Sequence, residues 1–123
     1  MTKIAVAVLP SFAVRGITFD NRQQVIVRMK ENQLLELVPE PENRYDPNAI
    51  TILFAGEKIG YVPRQYSAYL KFLLQQGAEL YISCVRIVEK LTPEGKIRIP
   101  IVLIYQLIEE PEICQRDLEG GGR

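Results

Sequence analysis

Pro39-Glu40-Pro41-Glu42-Asn43-Arg44-Tyr45-Asp46-Pro47-Asn48-Ala49-Ile50, followed downstream by Ile59-Gly60-Tyr61-Val62-Pro63-Arg64, is the stretch whose reading decides the fold. Pro39 to Pro47 is a loop: its prolines fix φ and remove donors, while Asn43 and Asp46 can bond their own backbone. Ala49 to Phe54 is then an apolar strand, Ala55-Gly56-Glu57 ends it, and Lys58 to Val62 returns beside it as a hairpin partner.

Downstream, Tyr66, Tyr69, Leu70, Leu73 and Leu74 recur at helical spacing, with Pro63 near the start and Gly77 just past the end. Both tyrosines are assigned to the core face of this helix. Leu80 to Val88 and Ile97 to Leu107 form a second hairpin through Thr92-Pro93-Glu94-Gly95. Upstream, Leu34 to Val38 alternates as a strand with Glu36 pointing out between Leu35 and Leu37. Asp20 or Asn21 can cap a short helix over Arg22 to Lys30, with Val25, Ile26 and Met29 on one face. Ile4 to Val14 reads as a first strand, bent or at an edge where Pro10 interrupts it. The sum is about six strands and two short helices without βαβ alternation, which predicts a small, mainly antiparallel, OB-like β-barrel. Residues 1–108 form the expected single domain, and the polar stretch 109–123, ending Gly120-Gly121-Gly122, the expected flexible tail.

Composition narrows the chemistry. The 123 residues contain no histidine, which removes the usual general base, the commonest zinc ligand and every Ser-His or Cys-His pair. Fifteen acids balance fifteen bases, so no global positive field draws in a long phosphate backbone, and nucleic-acid binding would have to rest on a local site. Cys84 lies in an apolar segment and Cys114 in the polar tail, in no paired motif, so thiol chemistry and a disulfide find no support. No apolar run reaches the length of a membrane span, and the short stretch Ile4 to Leu9 meets Pro10 instead of a cleavage site, which predicts an intracellular, cytoplasmic protein.

The order Glu40, Pro41, Asn43, Tyr45, Asp46, Asn48, Ala49, Ile50, then Gly60, Tyr61, Pro63, Arg64, closely resembles the HIRAN family. There an "EP-x-N-x-YD-x-NAI" run precedes an apolar strand, "IGY-apolar-P-basic" and a helix. Val14-Arg15-Gly16 looks like that family's first-strand "V-x-G", so the likeness covers roughly Val14 to Val88. The resemblance implies an OB-like barrel that holds the free 3′-hydroxyl end of single-stranded DNA, in partnership with a helicase, nuclease or other DNA-processing enzyme. It implies a DNA-binding set of Asn43, Tyr45, Asp46, Tyr61, Arg64, Phe19 and Arg15. Tyr45 would stack on a base, Asp46 would accept from the terminal hydroxyl, and Asn43 would shape the loop. Tyr61 and Arg64 would flank the strand, Arg64 near a phosphate. The chemistry suits these roles: stacking tolerates any base, a carboxylate welcomes a hydroxyl donor and repels phosphate, and an arginine pairs with phosphate through its fork.

Ordinary readings stand beside these. Asp46-Pro47-Asn48 is good turn chemistry in its own right, Gly60 permits a bulge or a close backbone approach, and Phe19 is also a candidate core aromatic. Arg15, Lys58 and Arg64 can be plain solvated charges. Where the family has a basic residue and two aromatics after "V-x-G", this chain has Ile17-Thr18-Phe19-Asp20: Phe19 keeps one stacking face, and Asp20 adds charge of the opposite sign. Two alternatives to DNA binding remain. One is a protein-interaction or regulatory module, which suits zero net charge. The other is a metal-dependent phosphodiesterase accessory built on Glu40, Glu42 and Asp46. The reading adopted is a binding module with no catalysis of its own and no cofactor.

Overall fold

The computed structural model describes residues 2–110, so the expected tail lies almost wholly outside the described residues, as does Cys114. The elements in chain order are β1 (Lys3–Ala7), β2 (Phe12–Ala13), α1 (Arg22–Ile26), β3 (Leu34–Pro39), β4 (Ile50–Phe54), β5 (Glu57–Tyr61), α2 (Arg64–Gln75), β6 (Leu80–Thr92) and β7 (Gly95–Glu109). Apolar side chains from most of them meet in one core, in which Ile50 and Ile52 of β4, Ile59 of β5, Ile82 of β6 and Val102 and Ile104 of β7 are sealed from solvent. Large β-branched side chains on the inward face of a pleated sheet are what hydrophobic burial favours there.

The strands run β1-β7-β6-β3-β4-β5, every pair antiparallel, with β2 also on β7. This is a mainly antiparallel sheet of seven strands with two short helices, and its ladder does not close into the expected OB-like barrel. Between the β2 segment and β5 there is a single bridge: Arg15 and Tyr61 exchange both backbone hydrogen bonds at 2.8 Å. The seam cannot zip further for covalent reasons. On one side the chain swings away at Gly16 (φ 71°), and on the other Pro63 lacks an N–H and α2 begins at Arg64.

The expected first strand is two pieces. β1 pairs with Tyr105–Glu109 and β2 with Ile101–Val102, the break falling at Ser11 and Pro10. Because the outer half of β7 runs beyond the core, all of β1 is exposed, and Glu109 is a strand residue paired with Lys3. β6 and β7 also extend further toward their turn than the apolar pattern indicates: cross-strand pairs such as Glu89 with Arg98 continue the ladder to Thr92 and Gly95.

Both helices are present, with two corrections. α1 ends at Ile26, not at the expected Lys30; the β-branched run Val25-Ile26-Val27 is costly to hold in a helix. Neither Asp20 nor Asn21 caps it through a side chain. Its C-terminal end is held by Arg98 of β7, whose guanidinium donates to the carbonyls of Ile26, Val27 and Met29. Val25, Ile26 and Met29 are buried as the spacing indicated. In α2, Leu70 is buried and Tyr66, Leu73 and Leu74 pack on the core, whereas Tyr69 is 47% exposed. The buried stripe follows i, i+4, i+7 and i+8, and Tyr69 falls at its solvent edge. Among the described residues no helix is long and apolar enough to cross a membrane.

Candidate functional site

The open seam is also a cleft of about 650 Å³. One wall is the turn after β2, with Arg15, Gly16, Phe19 and Asp20. The opposite wall is the 40–49 loop and the start of α2, with Asn43, Tyr45, Asp46 and Arg64, and Tyr61 and Arg22 lie between. The structure thus brings all seven candidates from the sequence, Arg15, Phe19, Asn43, Tyr45, Asp46, Tyr61 and Arg64, to the lining of one cavity.

The loop is built around Asn43. Its Oδ1 accepts from the backbone N–H groups of Tyr45 (2.9 Å) and Asp46 (3.0 Å), and its Nδ2 donates to Glu40 Oε1. An asparagine that spans its own turn in this way removes the freedom of the next residues. Lys71 of α2 pins the far side through the Pro47 carbonyl and the Asn48 side chain. Tyr45 is thereby held with its side chain in solvent, 82% exposed. A large aromatic left bare on a braced backbone loses little entropy on stacking.

Asp46 has two faces. Its Oδ1 accepts from the Asn48 N–H at 2.9 Å, which is the turn reading. Its Oδ2 accepts no hydrogen bond among the described residues and lies 3.8 Å from Arg64 Nε, which is 80% exposed at its side chain. One oxygen therefore maintains the loop, and the other, on a side chain that is 16% exposed, lines the cleft facing Arg64 with no hydrogen bond among the described residues.

Tyr61 lines the cleft and is also tied into the loop through its hydroxyl. Its hydroxyl donates to Glu40 Oε1 (2.8 Å) and accepts from Lys58 Nζ (3.0 Å). Arg22 and Lys58 lie over its ring at 5.5 and 5.0 Å from the centroid. Two cations beside the ring brace it at the cleft lining. Burial pushes the Glu40 carboxyl up, but hydrogen bonds from Lys58, Tyr61 and Asn43 together outweigh it and hold the group below its ordinary value. The Lys58 ammonium is held above its usual value, first by the Tyr61 hydroxyl and, against burial, also by Glu40. Glu40, Glu42 and Asp46 do not converge as metal ligands, and the described residues hold no cluster of three such groups.

Phe19 is 65% exposed, which corrects its core reading. Arg15 is exposed and its backbone forms the seam bridge. Sequence reasoning missed Arg22, read only as the first residue of a helix. Its Nη1 donates to the Gly16 carbonyl at 2.7 Å and its guanidinium lies near the rings of Phe19 and Tyr61, so it supplies a cation beside the very turn where the sequence lacks one. Nothing local in the sequence marks it, because its partners are set by the turn at Gly16 and by β5. The cleft then carries Arg15, Arg22 and Arg64 against Asp20 and Asp46, a modest local excess of positive charge on a neutral chain.

The family model for the HIRAN domain matches residues 11–103. A protein of Oryza sativa subsp. japonica described as a Fanconi-associated nuclease 1 homolog is 29% identical over 113 residues, which is 89% of this chain and 11% of that protein, so the chain spans about a tenth of that relative's length. A crystal structure of a Lactobacillus plantarum protein shares the fold with a TM-score of 0.65 at 23% identity, covering 88% of this chain and all of that one. The crystal structure of the HIRAN domain of human HLTF matches with a TM-score of 0.54 at 14% identity, over 83% of this chain and 74% of that one. With the double motif lining a single cleft and the family model spanning most of the sequence, the chain belongs to the HIRAN domain family.

Proposed function

We propose that this chain is a DNA-binding module, without catalysis of its own, that takes the free 3′-hydroxyl end of a single strand into the seam cleft. The observation that carries this reading is the pairing of an exposed Tyr45 ring with an Asp46 Oδ2 that lines the cleft and accepts no hydrogen bond among the described residues, on one braced loop. Stacking on a bare tyrosine is sequence-tolerant and contributes about 1–3 kcal/mol per base. A carboxylate oxygen without a donor takes a hydroxyl and repels a phosphate, so it separates a strand end from a continuing strand. Arg64 and Arg15 supply cations on either side. The likeness to the rice Fanconi-associated nuclease 1 homolog supports a DNA-processing enzyme as the partner that acts on the held end.

Fluorescence anisotropy with a short labelled single strand at low salt tests this reading. Saturable binding that weakens at least tenfold in Tyr45→Ala and in Asp46→Ala supports it, and no binding by the unaltered protein rejects it. A protein-interaction module is the second reading. It is favoured by Tyr69 and Phe72, which stand 47% and 55% exposed three residues apart on α2.

A further inference from the structure

Two of the cleft arginines are each shadowed by an aspartate at nearly the same loose distance. Arg64 Nε lies 3.8 Å from Asp46 Oδ2, and Arg22 Nη2 lies 3.7 Å from Asp20 Oδ2. Both spacings exceed hydrogen-bond range, so neither aspartate consumes the N–H groups that it faces. The environments differ sharply. Arg64 is in solvent, whereas the Arg22 side chain is only 12% exposed, held by the Gly16 carbonyl and flanked by the Phe19 and Tyr61 rings. Its Nε is buried without a hydrogen-bond partner among the described residues. A guanidinium withdrawn from water, with one full hydrogen bond through Nη1 and only a distant counter-charge facing Nη2, keeps unfilled capacity for an anion on that Nη edge. The counter-charge is also unusually replaceable. Asp20 is 84% exposed at its side chain and sits at φ 52°, on a turn that owes nothing to its carboxylate.

We propose that Arg22 is the inner phosphate-binding residue of the cleft, and that Asp20 is a stand-in anion which the strand's phosphate displaces. This rests on the single-strand reading and adds to it a second charged subsite, set across the cleft from the 40–49 loop. The exchange is one anion for another. Phosphate offers several oxygens to the guanidinium fork, while the Asp20 carboxylate returns to water, where it is already mostly hydrated. Arg22 needs no large movement, because the Gly16 carbonyl and the two rings keep the fork in place in the free protein, and such pre-organisation lowers the cost of binding. Asp20 then weakens affinity for every strand by competing for the same group.

The test is the salt dependence of anisotropy with a short strand ending in a 3′-hydroxyl, measured on the unaltered chain and on Asp20→Asn, Arg22→Lys and Arg22→Gln. Each phosphate neutralised on a single strand contributes about 0.7 to the slope of log affinity against log salt. The expected result is a gain of about threefold to tenfold in affinity for Asp20→Asn, with the slope unchanged or steeper. For Arg22→Gln the expectation is a loss of about tenfold or more, with the slope reduced by about 0.7. Arg22→Lys keeps the charge and lacks the fork, and should fall between. Thermal melting of each variant separates a folding defect from a binding defect, and Asp20→Asn, altering a solvent-exposed side chain, reads the same claim without touching Arg22. If the unaltered protein binds but Asp20→Asn does not strengthen binding and a folded Arg22 variant keeps the full slope, the subsite is overturned while the single-strand reading stands. If the unaltered protein binds no strand at all, both fall.

Discussion

A β-carbon placed on Gly60 would stand 2.2 Å from the carbonyl oxygen of Arg15 and 2.6 Å from Val14 Cγ1. The two chain segments approach this closely because the seam is held there by one bridge, and the ladder irregularity between Ile52 and Leu53 lies opposite the same place. Gly60 therefore sets the spacing of the cleft walls, with no side chain of its own in the cavity.

Gly60→Ala should force the Arg15–Tyr61 bridge apart, since the obstacle is backbone and not a side chain that can swing away. The expected cost is about 2 kcal/mol or more, read as a lowered denaturant midpoint. Strand binding should be lost in whatever fraction remains folded. Retention of both stability and binding would mean that the seam tolerates a wider gap.

The Glu40–Tyr61–Lys58 group predicts a pH effect with a definite sign. Glu40 is held below its ordinary value in the folded chain, so its contribution is fully present above the unfolded pKa and lost as pH falls through the folded one. Stability should decline on acidification below about pH 4, and less steeply in Tyr61→Phe, which removes one of the hydrogen bonds that hold the carboxylate. At neutral pH the same substitution should cost about 1 kcal/mol. Urea titrations at two pH values, one on either side of this range, make the comparison.

Much of this architecture was legible in the residues. Pro63 and Gly77 bracket α2, Ala55-Gly56 turns β4 into β5 one residue earlier than expected, with Glu57 already in the strand, and Val25, Ile26 and Met29 share a buried face, each signalled by local spacing or turn chemistry. The clustering of the candidate side chains followed from the double motif. What stayed hidden depends on distant partners. Arg22 is placed by Gly16 and Tyr61, the end of α1 by Arg98 on β7, and the extra length of β6 and β7 by charged cross-strand pairs that have no apolar period. Phe19 could be a core aromatic or a surface one, and only the swing of the chain at Gly16 decides for solvent.

Asn43 and Tyr45 should separate stability from binding. Asn43→Ala strips the acceptor from two backbone N–H groups and should cost about 1–2 kcal/mol, loosening the loop and weakening strand binding with it. Tyr45→Ala removes a side chain already in solvent and should leave the melting temperature within about 2 °C of the unaltered chain while abolishing most of the binding. Paired melting and anisotropy data check both. A Tyr45→Ala protein that melts much earlier would place the ring in the fold and not at a ligand.

Cys84 should behave as an inert core residue. It is fully buried, and burial pushes its thiol up. With Cys114 replaced by serine so that one thiol remains, labelling by a thiol reagent at pH 8 should follow the rate of unfolding. Rapid labelling of the folded protein would contradict the packing at β6.

Recognition of the strand end is tested by comparing the same short strand ending in a 3′-hydroxyl and in a 3′-phosphate, titrated into the protein at low salt and read by anisotropy. The hydroxyl end should bind at least tenfold more tightly, and Asp46→Asn should remove most of that preference, if Oδ2 of Asp46 accepts from the hydroxyl and repels a phosphate as proposed. Equal affinity for the two ends, or a preference that survives in Asp46→Asn, would contradict it.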